Sequence, residues 1–317
     1  MGEGDAKAVN DLFNRTFRKK RSLREWEWKF MRNPAGSSVC AVCEEDEKIV
    51  GFLGGLPMKF KAGRGEVMAY LGVDLCVDEG YRNRKISHEI ITEELSRIAS
   101  VIYGFRDEEN RNIYSRVSDR ELFSLPLPKL TLDISRGLRD VPFMFLSGIS
   151  GSLFRERRIV EVKSFGPEYD DLWRRASADI HVAVIRDSSY LNWRFVEKPG
   201  NNYVIFSWVG GGVVKGYIVL DSCMGEGVIL DMLTIRDPEV VGGLIRRAVS
   251  FFKMRGFKKV GFSSTDKYLL DAFRRYGFSE STFGVYLIAY TASSGGDMDW
   301  VRRLDEWFVT ASDDDCY

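Results

Sequence analysis

An internal duplication constrains this chain more than any other feature of its sequence. The segment Trp28–Pro34 (WKFMRNP) recurs as Trp193–Pro199 (WRFVEKP), at an offset of 165 residues. A glycine and an aromatic residue follow each proline at the same distance, as Gly51–Phe52 and Gly216–Tyr217. A repeat of this length predicts two copies of one domain rather than a solenoid of short units.

Both copies show the same order of elements: a short helix that ends near the proline, a β-hairpin, and a third strand in which an aspartate precedes a large apolar residue. A helix, a strand and a second helix follow. A strand, helix, strand unit predicts a parallel pair of strands within a mixed sheet. The predicted elements are hairpins Ser38–Glu44 with Lys48–Lys61 and Tyr203–Trp208 with Val213–Asp221, helices Ile86–Ala99, Glu109–Val117, Glu239–Arg255 and Lys267–Tyr276, and strands Val101–Phe105 and Lys258–Ser263.

The predicted domain boundaries follow from the repeat and from a glycine- and serine-containing stretch between the copies. The first domain spans residues 1–136, a linker spans 137–158, the second domain spans 159–292, and a tail spans 293–317. The tail contains Asp313–Asp315, and a run of like charges favours a frayed, solvated end.

The composition argues against some classes of partner. The 46 basic and 46 acidic residues give a formal net charge of zero, so no global field attracts nucleic acid or an anionic membrane. No apolar run is long enough to cross a bilayer and the start lacks a secretory signal, so a cytoplasmic location is expected. Five scattered cysteines agree with a reducing compartment, and the pair Cys40 and Cys43, in a predicted strand, favours packing over a metal site. The oligomeric state cannot be predicted.

The segment Val73–Ser87 carries the strongest functional signal. It reads as an apolar strand, a basic turn and the start of an amphipathic helix. A helix start offers unpaired backbone N–H groups and the positive end of the helix dipole, and this combination holds phosphate groups. The segment therefore predicts a site for a nucleotide-like cofactor that contains a pyrophosphate.

The order of elements, together with Arg82-Asn83-Arg84-Lys85-Ile86-Ser87 after a tyrosine, resembles the GNAT acyltransferase superfamily and its R/Q-x-x-G-x-G/A fingerprint. The resemblance implies an α/β (α+β) chain with two GNAT-like domains, each a mixed, mostly antiparallel sheet flanked by helices. It also implies acetyl-CoA or another acyl-CoA as cofactor. The implied cofactor contacts are Leu75, Cys76, Val77, Arg82, Asn83, Arg84, Lys85, Ile86 and Ser87.

The fingerprint is imperfect, because Lys85 and Ser87 stand where the family has small residues that let phosphate approach the backbone. The cations at Arg82, Arg84 and Lys85 either compensate by binding phosphate or leave only a solvated basic turn. The second copy has Thr234–Glu239 at the matching place. Its own proline and acidic helix start make it a poor phosphate site, so we expect no cofactor there.

The chemistry of acyl transfer to an amine requires a base, because an alkyl amine is mostly protonated at neutral pH. Asp74 is the first candidate for this base. Asp231 occupies the matching place in the second copy, so the alternative is that both aspartates accept structural hydrogen bonds.

The resemblance also implies a tyrosine on the last helix that protonates the departing thiolate, and Val117 stands at that position here. Tyr114, three residues earlier, is the candidate that takes over this role, with packing as the alternative. In the second copy the equivalent residue is Phe273. Trp26 is the candidate substrate contact.

The resulting hypothesis is an acyl-CoA-dependent N-acyltransferase, most simply an acetyltransferase, that acts on a small-molecule or protein amine. Two alternatives remain open at this stage. One is a catalytically inactive acyl-CoA-binding or interaction protein of GNAT descent. The other is an aminoacyl-tRNA-dependent transferase of the peptidoglycan type, against which the zero net charge argues.

Overall fold

In a computed structural model, the described residues are 4–98, 100–110, 122–135, 158–281, 284–290 and 299–315. The chain divides into two compact units. Unit 1 consists of Met1–Pro126, Trp193–Asn201 and Val285–Leu304. Unit 2 consists of Leu127–Asn192, Asn202–Gly284 and Asp305–Tyr317.

The described α-helices are named in chain order. They are α1 (Asp5–Phe17), α2 (Leu23–Met31), α3 (Ile86–Arg97), α4 (Glu168–Ala176), α5 (Ser188–Leu191), α6 (Pro238–Met254), α7 (Lys267–Arg275) and α8 (Asp299–Arg302).

The described strands form two sheets. They are β1 (Val39–Glu45), β2 (Lys48–Ala62), β3 (Gly65–Val77), β4 (Val101–Asp107), β5 (Leu122–Pro126), β6 (Lys129–Asp133), β7 (Ile159–Val162), β8 (Val182–Val184), β9 (Val204–Gly210), β10 (Val213–Cys223), β11 (Glu226–Thr234), β12 (Lys259–Ser263), β13 (Ser279–Ser281) and β14 (Val285–Tyr290).

Both sheets are mixed and mostly antiparallel, as predicted. The sheet of unit 1 has the strand order β1-β2-β3-β4-β14-β5, and that of unit 2 has the order β13-β6-β12-β11-β10-β9-β7. The parallel neighbours are β3 with β4 in unit 1 and β11 with β12 in unit 2, each joined by a helix crossover. The prediction of one parallel pair in each copy is confirmed.

The units exchange strands along the chain, and this differs from the single predicted boundary. β14 lies near the end of the predicted second domain but pairs with β4 and β5 in unit 1. β6 precedes the second copy but pairs with β12 and β13 in unit 2. The sequence pattern of a segment predicts that it forms a β-strand. The strand with which it pairs is determined by residues far away in the sequence. The predicted linker, 137–158, lies outside the described residues except for its last residue.

The helix α3 illustrates how the sequence determines the elements near the candidate site. Its apolar residues recur at helical spacing, and one face packs against the sheet of unit 1. The opposite face carries charged and polar side chains. The buried side chains on the packed face are Ile86, Ile90, Ile91 and Leu95.

The repeated tryptophans contact each other within unit 1. Trp28 Nε1 donates to the carbonyl of Trp193 (2.8 Å), and Trp193 Nε1 donates to the carbonyl of Trp28 (3.1 Å). The two rings stack with centroids 5.1 Å apart. Both tryptophans are buried, so the repeated tryptophan is a core residue at both places.

The predicted frayed tail is wrong in the part that the structure describes. Residues 304–313 are almost all buried in place, and Asp313, which was expected to be solvated, is only 3% exposed. A short run of aspartates has the same sequence pattern whether the side chains are solvated or form ion pairs. The run itself therefore could not predict that Asp313 pairs with Arg186.

The remaining features of the described residues concern metals and membranes. Cys40 is buried in β1, where burial, followed by the charge of Glu94, raises the pKa of its thiol to about 12. Among the described residues, no group of three or more His, Cys, Asp or Glu side chains could hold a metal ion. No helix in the described ranges is long and apolar enough to cross a membrane.

Candidate functional site

The two parallel strands of unit 1 separate partway along their length. β3 and β4 pair only through Ala69–Leu71 and Val101–Tyr103. Beyond these residues β3 continues to Val77 beside β2, while β4 continues beside β14. Past these residues the two strands are no longer hydrogen-bonded to each other, and β3 leads through the Glu79–Tyr81 turn into α3.

Arg106 bridges the two strands where their pairing ends. Its Nη2 donates to the carbonyl of Gly72 on β3 (3.1 Å), and its Nη1 donates to the carbonyl of Phe105 (2.8 Å). The side chain is only partly buried. A ligand that binds between β3 and β4 at this point would therefore contact or displace the long side chain of Arg106.

A β-bulge at Asp74 directs the side chains near the end of β3. The register with β2 shifts between Phe52 and Gly54, and Asp74 has a φ of 58°. Beyond the bulge, Leu75 and Val77 pack against the apolar cluster that includes α3. Asp74 instead contacts Arg21 and Lys29 in the α1–α2 region.

Asp74 lies in a buried ion cluster, with only 3% of its side chain exposed. Its Oδ1 accepts a hydrogen bond from Lys29 Nζ (2.8 Å) and its Oδ2 accepts one from Arg21 Nη1. Arg21 also donates from Nε to Asn10 Oδ1 (2.8 Å). Cations thus contact both carboxylate oxygens of Asp74. These contacts agree with the alternative interpretation of the sequence, in which Asp74 accepts structural hydrogen bonds.

Cys76 follows Asp74 on the same strand and is buried. Burial, and secondly the negative charge of Asp74, raise the pKa of its thiol to about 12. Because the thiolate is the reactive form of cysteine, Cys76 is a packing residue rather than a nucleophile at neutral pH.

The turn between β3 and α3 is stabilised at its start. Asp78 accepts a hydrogen bond from the Gly80 amide (3.2 Å) and lies 2.9 Å from Lys48 Nζ. A 3₁₀ turn then spans Glu79–Tyr81. The contacts of Asp78 hold the strand end in place and leave the residues after it exposed.

The first turn of α3 has no side-chain cap. Its N-cap residue is Lys85, which has a left-handed φ of 63° and makes no capping hydrogen bond. Asn83 is also left-handed, with a φ of 66°. Neighbouring residues with alternating handedness orient backbone N–H groups toward a common side, as in anion-binding turns. The family fingerprint has glycine at the Lys85 position, and the positive φ explains that preference.

The exposed cations of this turn differ in their contacts. Arg84 lies 3.4 Å from a carboxylate oxygen of Glu45 and stacks over the ring of Tyr81 at 4.8 Å. Within the described part of the chain, the side chains of Arg82 and Lys85 have neither a hydrogen bond nor an ion pair. Arg82 and Lys85 are therefore the cations that an anion at the start of α3 would meet.

Replacing Lys85 with glycine is expected to raise the free energy of unfolding by about 0.5–1 kcal/mol. A left-handed lysine costs roughly 1–2 kcal/mol, and the extra chain entropy of glycine offsets part of the gain. Urea unfolding measures the change. Asn83→Gly is the control and should gain less, because asparagine adopts this conformation readily. A loss of stability in Lys85→Gly would contradict the assigned backbone conformation.

The corresponding turn of unit 2 is closed by its own side chains. Asp237 caps α6 by accepting a hydrogen bond from the Glu239 amide (2.8 Å), and Pro238 begins the helix. Arg236 donates to Asp266 (2.7 Å). The prediction that this helix start supplies its own cap is confirmed.

In unit 2 a segment of the same chain packs beside the end of β12. Ser264 and Thr310 form a β-bridge, and the Thr265 amide donates to the carbonyl of Val309 (3.1 Å). Trp307 and Thr310 in this segment are almost fully buried. Residues 307–313, which we call the C-terminal segment, therefore complete the core of unit 2.

The C-terminal segment is also held by a buried ion cluster. Arg186 donates from Nε to both oxygens of Asp231 (3.2 Å each) and from Nη2 to Asp313 Oδ2 (2.7 Å). Tyr217 and Thr310 also donate to Asp231, at 2.7 and 2.8 Å. Asp231 is thus an acceptor of structural hydrogen bonds, as the alternative interpretation of the sequence proposed.

The other predicted site residues have different outcomes. Trp26 is only 1% exposed and packs on Phe30 (centroids 5.1 Å apart), because α2 turns it into the core of unit 1. Its surface is therefore not open to the substrate that the prediction assigned to it. Tyr114, and most of the predicted helix Glu109–Val117, lie outside the described residues. Phe273 stacks on Phe262 at 3.9 Å and is a core residue of unit 2.

The two arginines that hold the aspartates were not among the predicted site residues. Arg21 and Arg186 are separated by the same 165 residues as the repeated tryptophans. Extending the comparison of the two copies toward the N-terminus from Trp28 would have found the pair. Arg21 pairs with Asp74, and Arg186, 165 residues later in the sequence, pairs with Asp231.

Comparisons with known proteins agree with this architecture. Residues 1–105, a third of the chain, match the family model described as acetyltransferase (GNAT) domain. No curated protein matches the sequence.

Two solved structures share the fold over most of the chain. One is a protein from Enterococcus faecalis V583 described as a probable N-acyltransferase, with a TM-score of 0.65 and 12% identity, covering 91% of this chain and 70% of that one. The other is a GCN5-related N-acetyltransferase from Anabaena variabilis ATCC 29413, with a TM-score of 0.63 and 12% identity, covering 90% of this chain and 70% of that one. At this identity the likeness establishes a shared fold.

Proposed function

We propose that unit 1 is an N-acyltransferase that takes its acyl group from acyl-coenzyme A, most simply acetyl-CoA, and transfers it to an amine. The observation that carries the proposal is the uncapped start of α3, which follows the end of the pairing between β3 and β4. The match of residues 1–105 to a GNAT domain supports it.

The residues at the end of β3 and the start of α3 fit such a cofactor. The main chain of Leu75–Val77 lies past the last residues of β3 that pair with β4, and the first amides of α3 are without a side-chain cap. Arg82 and Lys85 would contact the phosphates, as a helix start favours anions. The cofactor supplies the acyl group as an activated thioester.

The remaining tasks belong to the chain itself. A backbone N–H near the bulge of β3 would polarise the acyl carbonyl, which requires no special side chain. Asp74 remains the proposed base and Tyr114 the proposed acid. Unit 2, with its capped helix start and its buried C-terminal segment, would shape or support the enzyme without binding cofactor.

A second candidate function is acyl-CoA binding without turnover. The ion cluster favours it, because both oxygens of Asp74 already accept hydrogen bonds from Lys29 and Arg21. Calorimetric titration with acetyl-CoA, paired with an assay for released thiol over a panel of amines, separates the two functions. Binding with release supports the enzyme, binding alone supports the second candidate, and the absence of binding contradicts both.

Replacing Arg82 with alanine is expected to raise the dissociation constant of acetyl-CoA about five- to tenfold, because one charge-assisted phosphate contact is lost. Isothermal titration calorimetry measures the change. Arg97→Ala is the matched control, since Arg97 lies at the other end of α3 and pairs with Glu93. An unchanged dissociation constant in Arg82→Ala would exclude Arg82 as a phosphate contact.

A further inference from the structure

The connection between α1 and α2 carries a local excess of positive charge. Residues 15–24 contain six basic and no acidic side chains, whereas the whole chain has a net charge of zero. Charges at a protein surface are largely screened beyond about 8 Å at physiological ionic strength, so a local group of cations attracts an anionic partner whatever the net charge. The basic residues are Arg15, Arg18, Lys19, Lys20, Arg21 and Arg24.

Arg21 fixes the backbone of this connection. Its amide donates to Asn14 Oδ1 (2.8 Å), and its carbonyl accepts hydrogen bonds from the side chains of Asn10 and Asn14 (2.9 Å each). The side chain of Arg21 is buried, whereas every other residue from 17 to 24 is exposed. The connection therefore presents its remaining side chains to solvent from a backbone that internal hydrogen bonds hold in place.

Four of the six cations are unpaired within the part of the chain that the structure describes. Arg15 lies 3.3 Å from Asp78, and Arg21 pairs with Asp74. The side chains of the other four are exposed and form neither a hydrogen bond nor an ion pair there; they are Arg18, Lys19, Lys20 and Arg24. Because residues 15–24 contain no carboxylate to offset the repulsion among these charges, the connection fits an anionic partner.

Two large apolar side chains are exposed beside the four cations. Phe17, the last residue of α1, is 42% exposed, and Leu23, the first residue of α2, is 40% exposed. These six side chains are called the α1–α2 surface below. A nucleic acid would pair with the cations and stack on Phe17, but it offers little apolar contact to Leu23. The boundary between lipid headgroups and acyl chains suits the cations and both apolar side chains.

We propose that the α1–α2 surface binds the face of a bilayer that contains anionic phospholipids. A group of about four to eight Lys and Arg residues is the size that anionic lipid attracts. The cations would lie among the headgroups, while Phe17 and Leu23 would enter the outer edge of the acyl region. The binding is peripheral, and it does not depend on the proposed function of unit 1.

The first test is co-sedimentation of the full chain with phospholipid vesicles at about 0.15 M salt. One set of vesicles is phosphatidylcholine alone, and the other contains about 30% phosphatidylserine. We expect the partition coefficient to be on the order of tenfold or more higher with phosphatidylserine, and to fall when the salt is raised to about 0.5 M. Equal binding to both sets of vesicles, or binding to neither, would overturn the proposal.

The second test reverses two of the charges. Lys19→Glu combined with Lys20→Glu is expected to lower the partition coefficient on phosphatidylserine vesicles by on the order of tenfold or more, since two attracted charges become repelled ones. Lys253→Glu combined with Lys258→Glu is the matched control, because it makes the same change in net charge at two exposed positions of unit 2. Parent-like binding by the first variant, or an equal loss in the control, overturns the assignment to this surface.

The third test distinguishes a bilayer from a nucleic acid. Phe17→Ser combined with Leu23→Ser is expected to weaken vesicle binding about fivefold or more, because two apolar groups no longer enter the acyl region. The control is Met224→Ser combined with Met254→Ser, at side chains that are 99% and 70% exposed. Unchanged binding in the first pair overturns the bilayer assignment, as does release of the protein from vesicles by double-stranded DNA at an equal concentration of phosphate. Should the Phe17 and Leu23 variant fail to fold, the lysine variants and the DNA competition still decide.

Discussion

Replacing Asp74 with asparagine should lower the free energy of unfolding by about 3–5 kcal/mol, because it leaves two buried cations without a counter-charge. Arg21 and Lys29 both contact this carboxylate, and none of the three side chains is more than 9% exposed. The amide of asparagine keeps the volume but turns an N–H₂ group toward donors. Urea unfolding at neutral pH measures the loss.

The control for this prediction is an ion pair at the surface. Asp171 pairs with Arg174, and both side chains are more than half exposed. Asp171→Asn should therefore change stability by less than about 1 kcal/mol. A similarly small loss in Asp74→Asn would show that Asp74 does not hold the two cations in solution.

The same variant separates the two roles of Asp74. Acylation is measured at a temperature at which Asp74→Asn remains folded, alongside the dissociation constant of acetyl-CoA. A lower kcat with an unchanged dissociation constant is expected if Asp74 is the base. If Asp74→Asn has the same kcat as the parent protein, Asp74 is not the base and serves only in the ion cluster.

Replacing Trp307 with alanine should lower the free energy of unfolding by about 3–5 kcal/mol, the usual cost of a cavity the size of a large aromatic side chain. Trp307 is 1% exposed, and its carbonyl accepts a hydrogen bond from Thr265. Removing the indole ring takes away apolar contact between the C-terminal segment and the rest of unit 2.

Met224→Ala is the control for Trp307, since Met224 is a large apolar residue that is 99% exposed. Its loss should change stability by no more than about 0.5 kcal/mol. The measurement is again urea unfolding, together with hydrogen exchange at β12. An unfolding midpoint for Trp307→Ala equal to that of the parent would mean that the segment does not pack there in solution.

The elements near the site could be predicted from the sequence because their signals are local. Helix α3 follows from the spacing of Ile86, Ile90 and Ile91, and the self-capped start of α6 follows from Pro238 and its neighbours. The turn before α3 was also predictable, although only the structure shows that Lys85 takes the left-handed conformation for which the family uses glycine.

The partners of these elements were not predictable in the same way. Arg21 lies 53 residues from Asp74 in the sequence, and nothing in either segment indicates the other. Asp313 appeared to be one of three solvated aspartates because its partner, Arg186, is equally remote. Only the internal repeat carried information about these contacts, since it related Arg21 to Arg186.

The exchange of strands between the units has a consequence for biosynthesis. β4 acquires its neighbour β14 only after the ribosome has translated every strand from β6 to β13. Unit 2 waits still longer, until Trp307 and the residues after it have emerged. A nascent chain released after β5 lacks an inner strand of its sheet and exposes the edge of β4, a surface prone to association with other chains. Neither unit can therefore mature as a contiguous fragment.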